Sequence, residues 1–475
     1  MTTPQTAPPP VRLVPALITL VLGLALYFTP APEGLAPEAW HLFAIFVATI
    51  LGIVIKPLPM GAVAIVAFTI SLVTNTVPYK AAFAGFSSDV VWLVVCAFFI
   101  AIGFIKTGLG DRIAYLFVAA LGKKTLGLGY GLIMTDLALA PAIPSVTARS
   151  GGIIYPVAEA LAKTFKSEPH SESSRRLGAY LMVTIFQGTV ITSAMFLTAM
   201  AANPVIAGFA GKQGITLSWS LWAKAAVVPG FVSLAIIPYL LYRIFPPELK
   251  TTPDARSFAM DQLKKLGKMS SHEWIMGVTF ATLLILWIRG DEWHMPAALT
   301  GFIGLSILLC TGVLNWKDLL AKESVWETFV WFSVLMMLAG QLNTLGFSPW
   351  LADSLVYYIG DYSPWMAFSV LCLVYFYTHY FFASSTAHVG SMYGPFLAIA
   401  IAIGIPPVLA ALILAFFSSL FGGLTHYSLS PAPLLFGAGY VSVKKWWELG
   451  FICSVVNIII WCSVGSLWWK FLGLY

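Results

Sequence analysis

Apolar runs long enough to cross a bilayer, roughly 17–25 residues each, recur along the whole chain. Nothing else in the sequence limits its fold as strongly. They place eleven spanning helices near 11–29, 40–56, 59–77, 89–106, 175–202, 219–245, 273–289, 295–313, 325–345, 406–436 and 446–472. Composition agrees: 59% of the 475 residues are hydrophobic and only 10% are charged, against about 25% charged in soluble domains. So few charges cannot cover a water-facing surface of this size. Seventeen Trp and eighteen Tyr suit the aromatic belts at headgroup depth. The expected fold is an all-α polytopic membrane protein, with lipid as its solvent.

Two further apolar segments, 125–165 and 363–403, are too long for one span and are broken midway by polar residues, Pro and Gly. They read as re-entrant hairpins, tolerable only where the interrupted backbone faces protein or a cavity. Amphipathic connectors, 107–122 and 347–360, precede them. With the N-terminus cytoplasmic, 20 of the 26 Lys and Arg fall inside, 5 outside and one, Arg149, within the membrane. That asymmetry is the positive-inside rule; it puts the C-terminus outside and favours a plasma membrane, bacterial in the first instance. The polar start, Met1–Arg12, leads into a first helix read as retained rather than as a signal peptide. The five cysteines, Cys96, Cys310, Cys372, Cys453 and Cys462, form no C-x-x-C pair and read as small buried side chains. No metal or other cofactor is expected. The net charge of +6 follows membrane topology and implies no nucleic acid.

The hairpins match each other. PSVTARSGGIIYP (Pro144–Pro156) aligns with ASSTAHVGSMYGP (Ala383–Pro395), pairing Ser145 with Ser384, Thr147 with Thr386, Arg149 with His388, and Gly151 with Gly390. The offset is 239 residues (384 − 145), which Trp92 and Trp331 in the preceding helices share. Five spans per copy turn the second copy upside down, so the tips would meet near the midplane as in transporters with inverted repeats. Two more spans look interrupted, TSAMFLTAMAANP (Thr192–Pro204) and GGLTHYSLSPAP (Gly422–Pro433). The organisation is therefore a tail and first helix (1–39), a first repeat (40–245), a cytoplasmic linker (246–272) and a second repeat (273–475).

Such tips suit an anion. Helix N-termini offer free N–H groups and the positive end of the dipole. Ser145, Thr147, Ser384, Ser385 and Thr386 add hydroxyls around Val146, while Gly151 and Gly390 permit close backbone approach. Thr192, Ser193 and Thr425 would complete the pocket from the broken spans. Plainer readings exist: Ser and Thr often bond their own i−4 carbonyl, and Gly often serves helix packing. Asp136 reads either as a structural partner of Arg149 or as a proton carrier. His379 and His426 stand as proton-carrying or supporting residues, and Gln187 and Asn203 as packing or helix-end residues.

At these residues the sequence resembles the divalent anion/sodium symporter family, most closely in PSVTARSGG, THYFFASSTAHVGSMY, GGLTHYS and GAGYV. The branch it is similar to contains bacterial dicarboxylate and citrate/succinate antiporters and the chloroplast 2-oxoglutarate/malate translocator. The resemblance implies Ser-Asn-Thr tips that bind carboxylates, here Ser145-Val146-Thr147 and Ser384-Ser385-Thr386, both without the Asn. It implies a homodimer working as an elevator, with 40–122 and 273–362 as scaffold and 123–245 and 363–475 in the moving part. It also implies that a basic residue after each tip, Arg149 or His388, stands in for a sodium ion, which favours sodium-independent exchange. A bare Arg149 cation would, besides, leave the empty carrier charged, at about 2.3 kcal/mol per charge per 100 mV of membrane potential. The alternatives are sodium- or proton-coupled symport and, more remotely, an integral-membrane enzyme. Against the enzyme stands a basic loop, Phe245–Glu273, with no paired carboxylates or H-x-x-x-H pattern. No ring of like charge marks a channel.

Overall fold

The computed structural model describes residues 11–347, 349–351, 354 and 363–475. Among them every regular element is a helix, and each of the eleven apolar runs contains one. Among the described residues, seven helices are long and apolar enough to cross a bilayer. Shorter apolar helices such as Leu13–Phe28 and Met60–Val73 accompany them. Their ends follow local chemistry. Helix Pro37–Ile55 opens with Pro in its first turn, where the missing N–H is no loss, and stops on Lys56 in the left-handed region. Helix Asp89–Thr107 ends at Gly108, whose φ of 76° turns the chain into helix Leu109–Leu121.

Burial separates lipid-facing helices from central ones. Helix Leu13–Phe28 has no buried residue, whereas every residue of helix Gly178–Met195 is buried. A helix apolar all round belongs either in lipid or in the protein's centre, and this chain contains both kinds. Two expectations need correcting on that account. Cys310 and Cys462 are exposed, while Cys96, Cys372 and Cys453 are buried; an apolar surface facing lipid need not be covered. Trp222, Trp446, Trp461 and Trp469 are fully buried rather than part of a belt.

The connectors differ from expectation as well. Residues 246–272 hold a helix, Pro253–Leu266, where a polar loop was expected. Its Ala255 and Ala259 are buried one turn apart, and it packs on helix Leu109–Leu121. Arg112 of that helix is nearly buried and bonds Glu273 at 2.6 Å and the Gly267 carbonyl at 3.1 Å. The second connector, 347–360, lies largely outside the described residues.

Both broken spans are present. Helix Gly178–Met195 gives way at Phe196 to extended backbone and resumes as Ala202–Lys212. Helix Pro407–Leu420 runs into one tight turn, Phe421–Gly423, and resumes only at Ala432–Gly437. The first hairpin, with arms Thr125–Leu139 and Tyr155–Thr164, packs on the first half of the first broken span. Gly151 in this hairpin also faces Leu434, in the second half of the other broken span. The second hairpin, with arms Pro364–Tyr377 and Gly394–Ala402, packs on the complementary halves, Ala202–Lys212 and Pro407–Leu420. The two tips thus converge on the two breaks from opposite ends. Amides brace the breaks reciprocally: Gln187 donates to the Gly423 carbonyl at 2.9 Å, and Asn203 accepts from Ser419 at 3.2 Å.

Candidate functional site

Each tip is an N-cap. Ser145 Oγ accepts the Ala148 N–H at 3.2 Å, and Ser384 Oγ accepts the Ala387 N–H at 3.3 Å. A capping hydroxyl keeps its own proton, so both serines remain able to donate to an anion. The next N–H groups, of Val146 and Thr147 and of Ser385 and Thr386, have no carbonyl of their own helix to reach. Thr147 is exposed, Ser145, Ser384 and Thr386 are half-buried, and Val146 and Ser385 are buried. The surface offered at each tip is therefore hydroxyl and backbone N–H. The chain then widens into a π-type turn, Thr147–Ile154 in one hairpin and Val389–Tyr393 in the other, a distortion frequent at functional sites.

The basic residues lie behind the tips, fully buried. Arg149 bonds Asp136 Oδ1 at 2.8 Å, the carbonyls of Ile143 at 2.6 Å and Ala199 at 2.8 Å, and Ser193 Oγ at 3.2 Å. Thr192 donates to the other oxygen of Asp136. The hydroxyls of Thr192 and Ser193, expected at the substrate, are thus engaged by the ion pair in this structure. The expectation of a bare Arg149 cation is overturned: with Asp136 against it, the pair is neutral as a unit. A guanidinium held by carbonyls and a carboxylate is well satisfied, whereas alone it would carry the full cost of a buried charge.

The second tip is built differently. His388 Nδ1 lies 3.0 Å from His379 Nδ1, His379 Nε2 donates to the Ser428 carbonyl at 2.9 Å, and His388 Nε2 meets Thr378 Oγ1 at 3.4 Å. Phe382 and Phe421 stack on the His388 ring, with centroids at 4.5 Å each. His426 stands apart, accepting from Trp447 Nε1 at 3.0 Å. Thr425 is buried and turned into its own break, its N–H on Ser428 Oγ at 3.2 Å.

A correspondence links the two clusters. Ala199 lies five residues before Pro204 (204 − 199), and Ser428 five before Pro433 (433 − 428). Each of these carbonyls, one per break, receives a hydrogen bond from the basic cluster of the nearer hairpin. Sequence reasoning singled out neither carbonyl, nor Thr378; the proline spacing was the available signal for the first two.

Comparison with known proteins agrees with this architecture. Residues 11–475 match the model of the sodium:sulfate symporter transmembrane region. The chain belongs to this family. The provisionally named malate transporter YflS of Bacillus subtilis is 52% identical, over 98% of both chains. Dicarboxylate transporter 1 of Arabidopsis thaliana chloroplasts is 48% identical, over 100% of this chain and 86% of its own. The citrate/succinate antiporter of Escherichia coli is 36% identical, over 97% and 98%. Among solved structures, the Alcanivorax borkumensis YdaH transporter shares the fold with a TM-score of 0.58 at 14% identity, over 97% and 96%. The protein is a multi-pass membrane transporter and not an enzyme.

Proposed function

We propose that the protein exchanges dicarboxylates or tricarboxylates across the membrane without sodium, binding them between the Ser145–Thr147 and Ser384–Thr386 tips. The substrate class rests on the names of the relatives together with the donor-only chemistry of the tips. One observation carries sodium independence: the break carbonyls Ala199 and Ser428 already accept from Arg149 and His379. A sodium ion needs several such oxygens free. Here a side-chain donor of the protein, Arg149 or His379, already lies against each, where a metal ion would otherwise have to sit.

Obligate exchange then has a cause other than a bare charge. An empty carrier would cross the barrier with the tip N–H and O–H groups unpaired, each costing about 1–3 kcal/mol. A bound carboxylate satisfies them, so the loaded form moves more readily. The reading extends to an elevator in which hairpins and broken spans move together, to a homodimer, and to a cytoplasmic N-terminus with the C-terminus outside. The deep burial of Gly178–Met195 among hairpin and broken-span neighbours supports treating those elements as one body.

Counterflow in proteoliposomes tests it, screening succinate, malate, 2-oxoglutarate, tartrate and citrate. Vesicles preloaded with one of these acids should take up labelled acid, and empty vesicles almost none, whatever the sodium gradient. Strong sodium-driven uptake into empty vesicles would overturn exchange in favour of symport.

A further inference from the structure

The hydrogen-bond chain behind the second tip counts its own protons. The Ser428 carbonyl only accepts, so His379 Nε2 bears hydrogen. The Nδ1–Nδ1 contact of 3.0 Å has room for one hydrogen and not two. Those two hydrogens make both imidazoles neutral, with His388 Nε2 accepting from the Thr378 hydroxyl. One further proton has a place. It binds His388 Nε2, and the Thr378 hydroxyl turns to donate to the Tyr375 carbonyl, already 3.0 Å away. A fourth hydrogen would have to enter the Nδ1–Nδ1 contact, which is full. The couple is therefore neutral or singly charged, and nothing else.

Among the described residues, no acidic side chain bonds either ring to balance that single charge. The groups against the two rings are Tyr375, Phe382, Phe421, Thr378 and the Ser428 carbonyl. Of these only Tyr375 titrates, and its hydroxyl is bonded to Ser418 at 2.7 Å. Among the described residues no carboxylate, lysine or arginine bonds either histidine. Asp136, the acid of the matching site, is committed to Arg149 and Thr192. The anion able to offset a proton here is then the substrate, one helical turn away at Ser384, whose carbonyl accepts the backbone N–H of His388 at 3.1 Å.

We infer that the His379–His388 couple is a binding site for a single proton, filled in step with the carboxylate at the second tip. This rests on the proposed placement of the substrate at the tips. It makes the proton a co-ligand: by linkage, the acid raises the couple's proton affinity and the proton raises the acid's affinity by the same factor.

The experiment is calorimetric titration of the full-length protein with succinate, in buffers of different ionisation enthalpy. It would run from about pH 6.5, the ordinary histidine value, to about 8, where the free acid is fully ionised. Proton uptake per bound succinate should rise as pH falls and level off at one. His388→Phe, which removes the nitrogen that the added proton binds, should abolish the uptake. Thr378→Val, which takes away the oxygen that receives the added N–H, should cut it several-fold while binding persists. Binding with no proton uptake at any pH, with two protons, or with uptake unchanged in both variants would overturn the inference and leave the substrate reading standing. No binding by any acid of the counterflow set would overturn both.

Discussion

The two basic sites occupy matching positions in the repeat yet are opposite in kind. Behind the first tip, a permanent cation is neutralised by its own carboxylate and bound by four partners. Behind the second, two neutral-capable rings lie in an aromatic cage, with no acid bonded to either among the described residues. The first has its charge and its donors satisfied within the protein. The second, on the inference above, takes up a proton with the substrate. The two hairpins thus share their capped tips, while the basic residues behind them are satisfied in different ways.

The largest test of this contrast is Arg149→Met. It leaves Asp136 buried and unpaired, so stability should fall by about 3–5 kcal/mol and exchange should vanish, read by thermal unfolding and counterflow. Adding Asp136→Leu should recover most of the stability and none of the exchange. If exchange returned, the pair would be packing alone. His388→Phe is the corresponding change at the second site. An aromatic ring refills the cage and leaves only His379 Nδ1 short of a partner, at about 1–3 kcal/mol, while Thr378 keeps the Tyr375 carbonyl at 3.0 Å. Expression and folding should survive, exchange should drop at least tenfold, and its pH dependence should flatten. A collapse as severe as that of Arg149→Met would erase the distinction between the sites.

Smaller changes probe what the halves share. Ser145→Ala and Ser384→Ala each remove a cap worth about 1 kcal/mol, and each should raise the apparent KM for the acid. Markedly unequal losses would mean that one tip binds alone. The smallest effect separates the glycines. A Cβ at Gly151 would come within 2.7 Å of Leu434 Cδ2, whereas one at Gly390 meets nothing closer than 3.6 Å. Leu434 is partly exposed and can turn, so Gly151→Ala should cost about 1 kcal/mol and Gly390→Ala less. Melting temperatures of the two variants decide it.

Much of the site was legible beforehand because its signals are local. Ser145 and Ser384 cap their own helices three residues on, and that relation is visible in the string. The roles of Thr192 and Ser193 were not, since their hydroxyls reach Asp136 and Arg149 from another span. His379 and His388, nine residues apart, could be named as candidates. Their facing Nδ1 atoms depend on how the arm enters the tip, which no periodicity encodes. The helix in 246–272 went unread because only Ala255, Phe258 and Ala259 mark its packed side amid charge.

By itself the sequence determined that the chain is a polytopic helical membrane protein with two equivalent hairpins, and which side chains could carry charge inside it. Hydrophobic length and repeated tip residues are enough for that, because lipid tolerates few other arrangements. Only the tertiary structure decided whether those charges stand alone. Asp136 cancels Arg149 and His379 meets His388 through contacts of about 3 Å. In a low-dielectric interior, distances of that order settle whether a buried group is a bare ion, half of a neutral pair, or a seat for a proton.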